Sequence, residues 1–107
     1  MFKRWEQKNP ETRNKTAIIK ALEGNKLSFA LRLIENTDNS EEILGSLDAQ
    51  PGIEKILGNN LRTFNIENLI TIIEKIKPSD DILESPQIKA YAVDGIHNAL
   101  RNINPNN

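Results

Sequence analysis

The chain has 107 residues, no cysteine, one histidine and a net charge of −1. Its length suits a single domain that buries roughly 60 to 65% of the surface its unfolded chain exposes. The lack of cysteine excludes disulfides, thiolate metal sites and thiol nucleophiles, and no stretch approaches the roughly 18 consecutive apolar residues that span a bilayer.

The first predicted elements form a helical hairpin. Residues 9–11 read Asn-Pro-Glu, which supplies a capping side chain, a proline at the first helical position and an acid in the first turn. This start predicts a helix over residues 10–23, which Gly24 is expected to end in a left-handed conformation. Asn25 is expected to cap a second helix that ends by Asn36. Because the turn is short, the two helices should pack antiparallel.

A polar stretch separates this hairpin from the next helix start. Ser40 is followed by two glutamates, whose charge stabilises the positive end of a helix. The helix should end near Ala49, before Pro51. Pro51 is expected to open another short helix, which Gly58 closes.

The clearest periodicity lies in residues 66–77, which read IENLITIIEKIK. Asn65 is expected to cap this helix, and Pro78 follows its last residue. Spacings of three and four residues predict one buried side. Its inner line consists of Ile66, Leu69, Ile73 and Ile76, with Ile70 beside them.

Two more helix starts follow. Ser79 and two aspartates should begin a single turn, and Ser85 with its following proline should begin the last helix. The last helix is expected to pack through one apolar side, made of Ile88, Ala92, Ile96, Ala99, Leu100 and Ile103. Gly95 costs a helix about 1 kcal/mol relative to alanine. We therefore expect that it packs closely against a neighbouring element.

These elements predict an all-α fold. Residues 1–107 should form a single compact domain of five to six short helices, packed as antiparallel helical hairpins. The polar ends, residues 1–9 and 103–107, are expected to be flexible.

One short pattern occurs twice. Residues 23–29 read EGNKLSF and residues 57–64 read LGNNLRTF, with 34 positions between Gly24 and Gly58. This spacing falls in the range of stacked helical repeats. Residues 21–36, ALEGNKLSFALRLIEN, resemble the inner helix pair of ankyrin-type repeats, but they lack the opening Thr-Pro-Leu-His of that family. In the second copy five extra residues precede the apolar helix. A true repeat stays open, but we favour independent use of the same helix-stop and capping chemistry.

No residue pattern predicts catalysis, cofactor binding or a metal site. His97 has only Asp94 as a possible orienting carboxylate on its own helix. The acidic pairs at 41–42 and 80–81 stand at predicted helix starts, where the helix dipole explains them. With one histidine and no cysteine, the chain has too few of the ligands that zinc prefers. We therefore expect no enzyme activity and no cofactor.

The leading functional prediction is a protein–protein interaction or regulatory module, such as an adaptor or effector, that binds a partner protein through a helix-lined surface. Aromatic residues and arginine dominate interface energetics. The candidate partner-binding residues are Phe2, Arg4, Trp5, Phe29 and Phe64.

The alternative is a small nucleic-acid-associated regulator. Residues 1–26 hold seven Lys/Arg against three Asp/Glu, whereas residues 27–107 hold seven against twelve. A basic segment can bind phosphate groups. Its candidate contacts are Lys3, Arg4, Lys8, Arg13, Lys15 and Lys20.

The chain is expected to be cytoplasmic, or exported by a route without a classical signal peptide. Residues 1–15 read MFKRWEQKNPETRNK and carry charges where a signal peptide needs its apolar stretch.

Overall fold

A computed structural model describes residues 10–103, with side chains from Arg13 onward, and all of the regular structure in this range is helical. The predicted all-α class is confirmed. The elements are α1 (Pro10–Glu23), α2 (Leu27–Glu35), α3 (Ser40–Leu44), a 3-10 turn (Leu47–Ala49), α4 (Gln50–Arg62), α5 (Ile66–Thr71), its π-helical continuation (Ile72–Ile76), α6 (Asp80–Leu83) and α7 (Pro86–Ile103).

Helix α4 lies at the centre of a row, with α1 along one side and α7 along the other. On the α1 side, a Cβ built on Gly52 would lie 3.1 Å from the Cβ of Leu22. Further along the chain, Asn60 Nδ2 of α4 lies 3.5 Å from Oδ1 of Asn25, in the turn that follows α1. Both contacts advance in the same direction along the chain, so α1 and α4 run parallel.

The α7 side of the row shows the same direction. Ser85 Oγ donates to Glu54 Oε2 at 3.0 Å, close to the start of both helices. Towards their ends, Asn98 Nδ2 donates to the carbonyl oxygen of Arg62 at 3.1 Å. Helices α1, α4 and α7 therefore form a parallel row.

Two of the three row helices turn back into antiparallel hairpins, as predicted. Residues 24–26 join α1 to α2, and residues 63–65 join α4 to α5. Each turn contains one left-handed residue, Asn25 with φ 58° and Phe64 with φ 55°. The predicted left-handed Gly24 is wrong, because asparagine tolerates this conformation better than most side chains and takes that role itself.

The hairpin recurs after 39 residues, the separation between the two left-handed turn residues. The contacts between row helices recur at the same spacing. The carbonyl oxygen of Ile19 faces Gly52 of the next helix, and 39 positions later Gly58 faces Tyr91. Residues 10–103 therefore form a helical repeat with two hairpins, and α7 is the first helix of a third repeat.

The 34-residue echo of Gly24 and Gly58, which we attributed to independent use of the same helix-stop and capping chemistry, is not this repeat. Gly58 lies inside α4, which continues to Arg62, whereas Gly24 lies in a turn. Leu27 begins α2, but Leu61 stands in the last turn of α4, so the 34-residue echo does not relate equivalent positions. Gly58 is explained by packing, since a Cβ there would lie 2.3 Å from the ring of Tyr91.

The predicted helix from Ser40 to Ala49 is interrupted. Helix α3 ends at Leu44, and a 3-10 turn precedes α4. Gln50 Nε2 donates to the carbonyl oxygens of Leu44 at 3.0 Å and Ser46 at 2.8 Å. A side chain of the following helix thus provides a hydrogen-bond donor for carbonyl groups at and just after the end of α3.

Three predicted helix starts are confirmed by capping hydrogen bonds. Asn65 Oδ1 accepts from the backbone N–H of Asn68 at 3.1 Å, and Ser85 Oγ accepts from that of Ile88 at 3.1 Å. Ser79 Oγ accepts from the N–H of Ile82 at 3.3 Å. Caps of this kind depend on residues close in sequence, which makes them predictable.

The core consists mainly of Ile and Leu side chains gathered around α4. Its fully buried large members are Ile18, Leu22, Ile53, Ile56, Ile72 and Ile76. The predicted inner line of α5 is wrong at Ile66 and Ile73, which are exposed, while Ile72 is buried instead. Asn68 Nδ2 donates to Asn60 Oδ1 of α4 at 2.9 Å, so the side of α5 that carries Asn68 and Ile72, four positions apart, faces α4.

Asn60 is a buried polar residue that joins both hairpins. Its Nδ2 donates to the carbonyl oxygen of Ile56 at 2.8 Å and lies near Asn25, and its Oδ1 accepts from Asn68. We expect Asn60→Ala to lower the free energy of unfolding by about 1 to 3 kcal/mol, since it removes this network and leaves the partly buried amide of Asn68 without its partner. Urea denaturation measures the loss. Asn59→Ala, on the preceding residue, is the control, and an equal loss in both variants would contradict the role of the network.

The predicted flexible ends lie almost wholly outside the described residues, except that Ile103 belongs to α7. Residues 10–103 contain seven α-helices against the five to six predicted, because the predicted single turn after Ser79 forms α6. None of the helices in this range has the length and apolar character needed to cross a membrane.

Candidate functional site

Helix α7 exposes a line of apolar side chains, which we call the open stripe. It consists of Val93, Ile96, Leu100 and Ile103, which are 51%, 48%, 57% and 74% exposed. These positions are separated by three, four and three residues and therefore lie along one side of the helix. The expectation that Ile96, Leu100 and Ile103 pack into the core is wrong, whereas Ile88 is buried as predicted.

The rotation of α7 is fixed by its contacts with α4. A Cβ on Gly95 would lie 1.8 Å from the carbonyl oxygen of Leu61, so the two backbones touch at this point, as expected for a glycine within a helix. Tyr91 lies over Gly58, and the guanidinium of Arg62 lies 5.7 Å from the centre of its ring. These contacts direct the Tyr91 and Gly95 side of α7 towards α4 and leave the open stripe uncovered.

The repeat explains why these positions are apolar. Ile96 and Leu100 lie two repeats after Ile18 and Leu22 of α1, which are both 0% exposed, and one repeat after their equivalents in α4. In α4 the equivalent of Ile96 is Leu57, which is 2% exposed. Helices α1 and α4 are each followed by further helices that pack on them, while no further helix follows α7 in the described residues. The stripe therefore has the composition of a buried surface without the element that would cover it.

Helix α5 adds exposed apolar residues to the same end of the repeat. Three isoleucines of α5 and its π-helical continuation are about half exposed: Ile66, Ile70 and Ile73. At the equivalent positions of α2, the residues Leu27, Leu31 and Ile34 are partly buried. The last complete hairpin thus also exposes more apolar surface than the first.

The opposite edge of the row is polar. On α1, Arg13 and Lys20 are exposed, and they lie two repeats before Tyr91 and Asn98, which contact the preceding helix of the row. Polar outer faces of this kind cap the ends of helical repeats. The row therefore has one capped end, at α1, and one open end, at α7.

Half of the six candidate nucleic-acid contacts lie in the described part of the chain. Arg13 and Lys20 are exposed, and Lys15 Nζ pairs with Asp48 Oδ2 at 3.0 Å. Lys3, Arg4 and Lys8 lie outside the described residues.

Two of the five predicted partner-binding residues lie in the described part of the chain. Phe29 is 47% exposed in α2, and Phe64 is 39% exposed in the turn between α4 and α5, so they belong to different hairpins. Phe2, Arg4 and Trp5 lie outside the described residues. The open stripe was missed as a surface, although Gly95 and the spacing of the four apolar residues together indicated which side faces a neighbour.

A groove of about 900 Å³ lies between α3, the start of α4, the end of the π-helix and α6. Its floor contains Leu44, Ile53, Ile76 and Ile82, which are all buried. Its rim carries charges of both signs, on Glu41, Glu74, Asp81, Lys75 and Lys77. Because the apolar floor is already packed into the core, the groove offers less apolar area to a partner than the open stripe does.

Candidate chemical groups are dispersed over the surface. His97 and Asp94 are exposed on α7, and the acidic pairs at 41–42 and 80–81 are exposed at helix starts. Within residues 10–103, no three His, Asp or Glu side chains are grouped closely enough to hold a metal ion.

Residues 21–36, which resemble an ankyrin-type helix pair, form the end of α1, the following turn and α2. In the structure this hairpin recurs after 39 residues. Comparison of the chain with protein-family models, with curated proteins and with solved structures returned no match.

Proposed function

We propose that this chain is a helical-repeat module for protein–protein interaction, with an adaptor or regulatory role and no catalytic activity. A partner protein binds at the open end of the row, on the open stripe of α7. The observation that carries the proposal is that Ile96 and Leu100 are half exposed at positions that α1 buries completely.

Burial of the stripe would release useful binding energy. Complete burial of an aliphatic side chain is worth about 1.5 to 3 kcal/mol. The four residues of the stripe are roughly half exposed, so covering them supplies about 4 kcal/mol before the costs of association. This is enough to favour a specific partner when the rim adds polar contacts, and too little for tight binding alone.

The chemistry of the partner follows from what covers the other row helices. Helix α2 packs on α1 with leucine and isoleucine at spacings of three and four residues, and α5 packs on α4. A partner helix with one apolar side of this kind would fit the stripe in the helix-in-groove mode of recognition. Its other side would be polar, because it faces solvent.

Affinity capture with two matched variants tests the proposal. Leu100→Glu places a charge in the stripe, while Leu47→Glu makes the same change at a leucine that is 87% exposed beside the groove. We expect proteins captured by the wild type and by Leu47→Glu to be lost with Leu100→Glu. Circular dichroism would verify that both variants keep their helices.

Two outcomes would contradict the proposed surface. Capture of the same proteins by all three forms would show that the stripe does not bind them. Loss with Leu47→Glu alone would place the binding surface at the groove.

A further pair, Phe29→Ala and Phe64→Ala, tests the two predicted aromatic residues in the described part of the chain.

A further inference from the structure

The open stripe is complementary to itself. Its spacing of three, four and three residues reads the same in both directions along the helix. If two copies of α7 lie antiparallel, Val93 faces Ile103 of the second copy and Ile96 faces Leu100 of the second copy. Every apolar residue of the stripe then meets another, in the manner of an antiparallel two-stranded coiled coil.

We propose that a second copy of this chain covers the open stripe, with the two α7 helices antiparallel across a two-fold axis level with Asn98. This inference rests on the proposed function, because it names the partner of the same surface. It requires no additional segment, since each copy supplies what the other lacks.

The residues beside the stripe allow close contact. Ala92 and Ala99 lie between the stripe and the buried side of α7, and both are partly buried. Small residues at such flanking positions permit two helix backbones to approach. Asp94 and Arg101 lie on the other side of the helix, so the pair forms without burying these charges.

Lys89 favours the antiparallel arrangement. It stands on the line of the stripe one turn before Val93, and it is exposed. In a parallel pair the two copies of Lys89 would lie side by side, and like charges repel. In an antiparallel pair they lie at opposite ends, roughly 27 Å apart along the axis.

The capped end of the row argues against head-to-tail stacking. If α7 of one copy packed on α1 of the next, the apolar stripe would meet the exposed Arg13 and Lys20. Burial of these charges against aliphatic side chains is unfavourable. The two-fold pair is closed, whereas head-to-tail contact would continue into a filament.

The size of the surface predicts a weak dimer. Four half-exposed side chains from each copy form a contact smaller than the roughly 1,200 Å² typical of stable complexes. We therefore expect a dissociation constant of roughly 10 to 100 µM.

Sedimentation equilibrium of the whole chain, at concentrations from roughly 1 to 500 µM, tests the pairing over the expected range. The average mass should rise from the monomer value of 12.1 kDa towards twice that value. Leu100→Glu and, as a second variant, Val93→Glu should remain monomeric. Leu47→Glu should dimerise like the wild type.

Mixing two variants tests the orientation. Ile96→Lys and Leu100→Glu should each be monomeric alone. In an antiparallel pair position 96 faces position 100 of the second copy, so the mixture should form a heterodimer with opposite charges in contact. A parallel pair would not place them together.

A wild type that stays monomeric throughout would overturn the proposal, and so would stripe variants that dimerise normally. Wild-type dimers with no heterodimer in the mixture would overturn the antiparallel arrangement. A monomeric wild type that still captures another protein through Leu100 would refute self-pairing and leave the proposed function standing.

Discussion

Gly95→Ala should lower the free energy of unfolding by about 3 kcal/mol, near the upper range for overpacking a helix interface. A Cβ at this position would lie 1.8 Å from the carbonyl oxygen of Leu61 and 2.9 Å from its carbonyl carbon. Both atoms belong to the backbone of α4, so no flexible side chain can move aside. Helices α4 and α7 would have to separate, with loss of the contact between Tyr91 and Gly58.

The sign of the change distinguishes packing from helix propensity. Alanine is about 1 kcal/mol better than glycine within a helix, so propensity alone predicts a more stable protein. Gly45→Ala is the control, because its Cβ would lie 3.4 Å from the nearest atom, the carbonyl oxygen of Glu41. Urea denaturation followed by circular dichroism measures both variants. A stabilised Gly95→Ala protein would show that α4 and α7 do not touch at this point.

Local features of the fold were predictable from the sequence. The first helix extends over Pro10–Glu23 as expected, and the caps at Asn65, Ser79 and Ser85 form their hydrogen bonds. These features depend on residues within one turn of each other, which interact whatever the rest of the chain does.

The direction in which each helix faces was not predictable in the same way. In α7 the pattern of Ile96, Leu100 and Ile103 is that of a buried side, but the backbone contact at Gly95 turns that side away from α4. In α5 the side chain of Asn68 donates to Asn60 of α4, and Ile72, four positions later, is buried on the same side. Such rotations depend on contacts between residues distant in sequence, and the periodicity of a single helix carries no information about those contacts.

The repeat was also hidden from residue comparison. At the left-handed turn position, the first hairpin has Asn25 and the second has Phe64, which share no side-chain chemistry. At the contact between row helices, the repeat position of Ile19 is occupied by Gly58, and the repeat position of Gly52 is occupied by Tyr91. The repeat preserves backbone positions, but the large and the small residue of each contact change places between the two interfaces. Matching identical residues therefore gives a spacing of 34 residues, although the structural spacing is 39.

Leu22→Ala should cost about 2 to 5 kcal/mol of unfolding free energy, the range for removing a buried leucine side chain. Leu22 is completely buried between α1 and α4, and alanine would leave a cavity that the packed helices fill only in part. Leu100→Ala makes the same change at the equivalent position of α7, which is 57% exposed. Because water already contacts that side chain, its truncation should cost less than about 1 kcal/mol.

The comparison between these two variants tests the open end directly, because the residue type, the helix position and the substitution are the same. Both should be measured by urea denaturation at about 1 µM, where the weak self-pairing inferred from its small interface is mostly dissociated. Equal losses would mean that Leu100 is covered within a single chain, and the stripe could not then serve as a binding surface. A large loss at Leu22 with a small one at Leu100 would show that one repeat position is buried at the start of the row and free at its end.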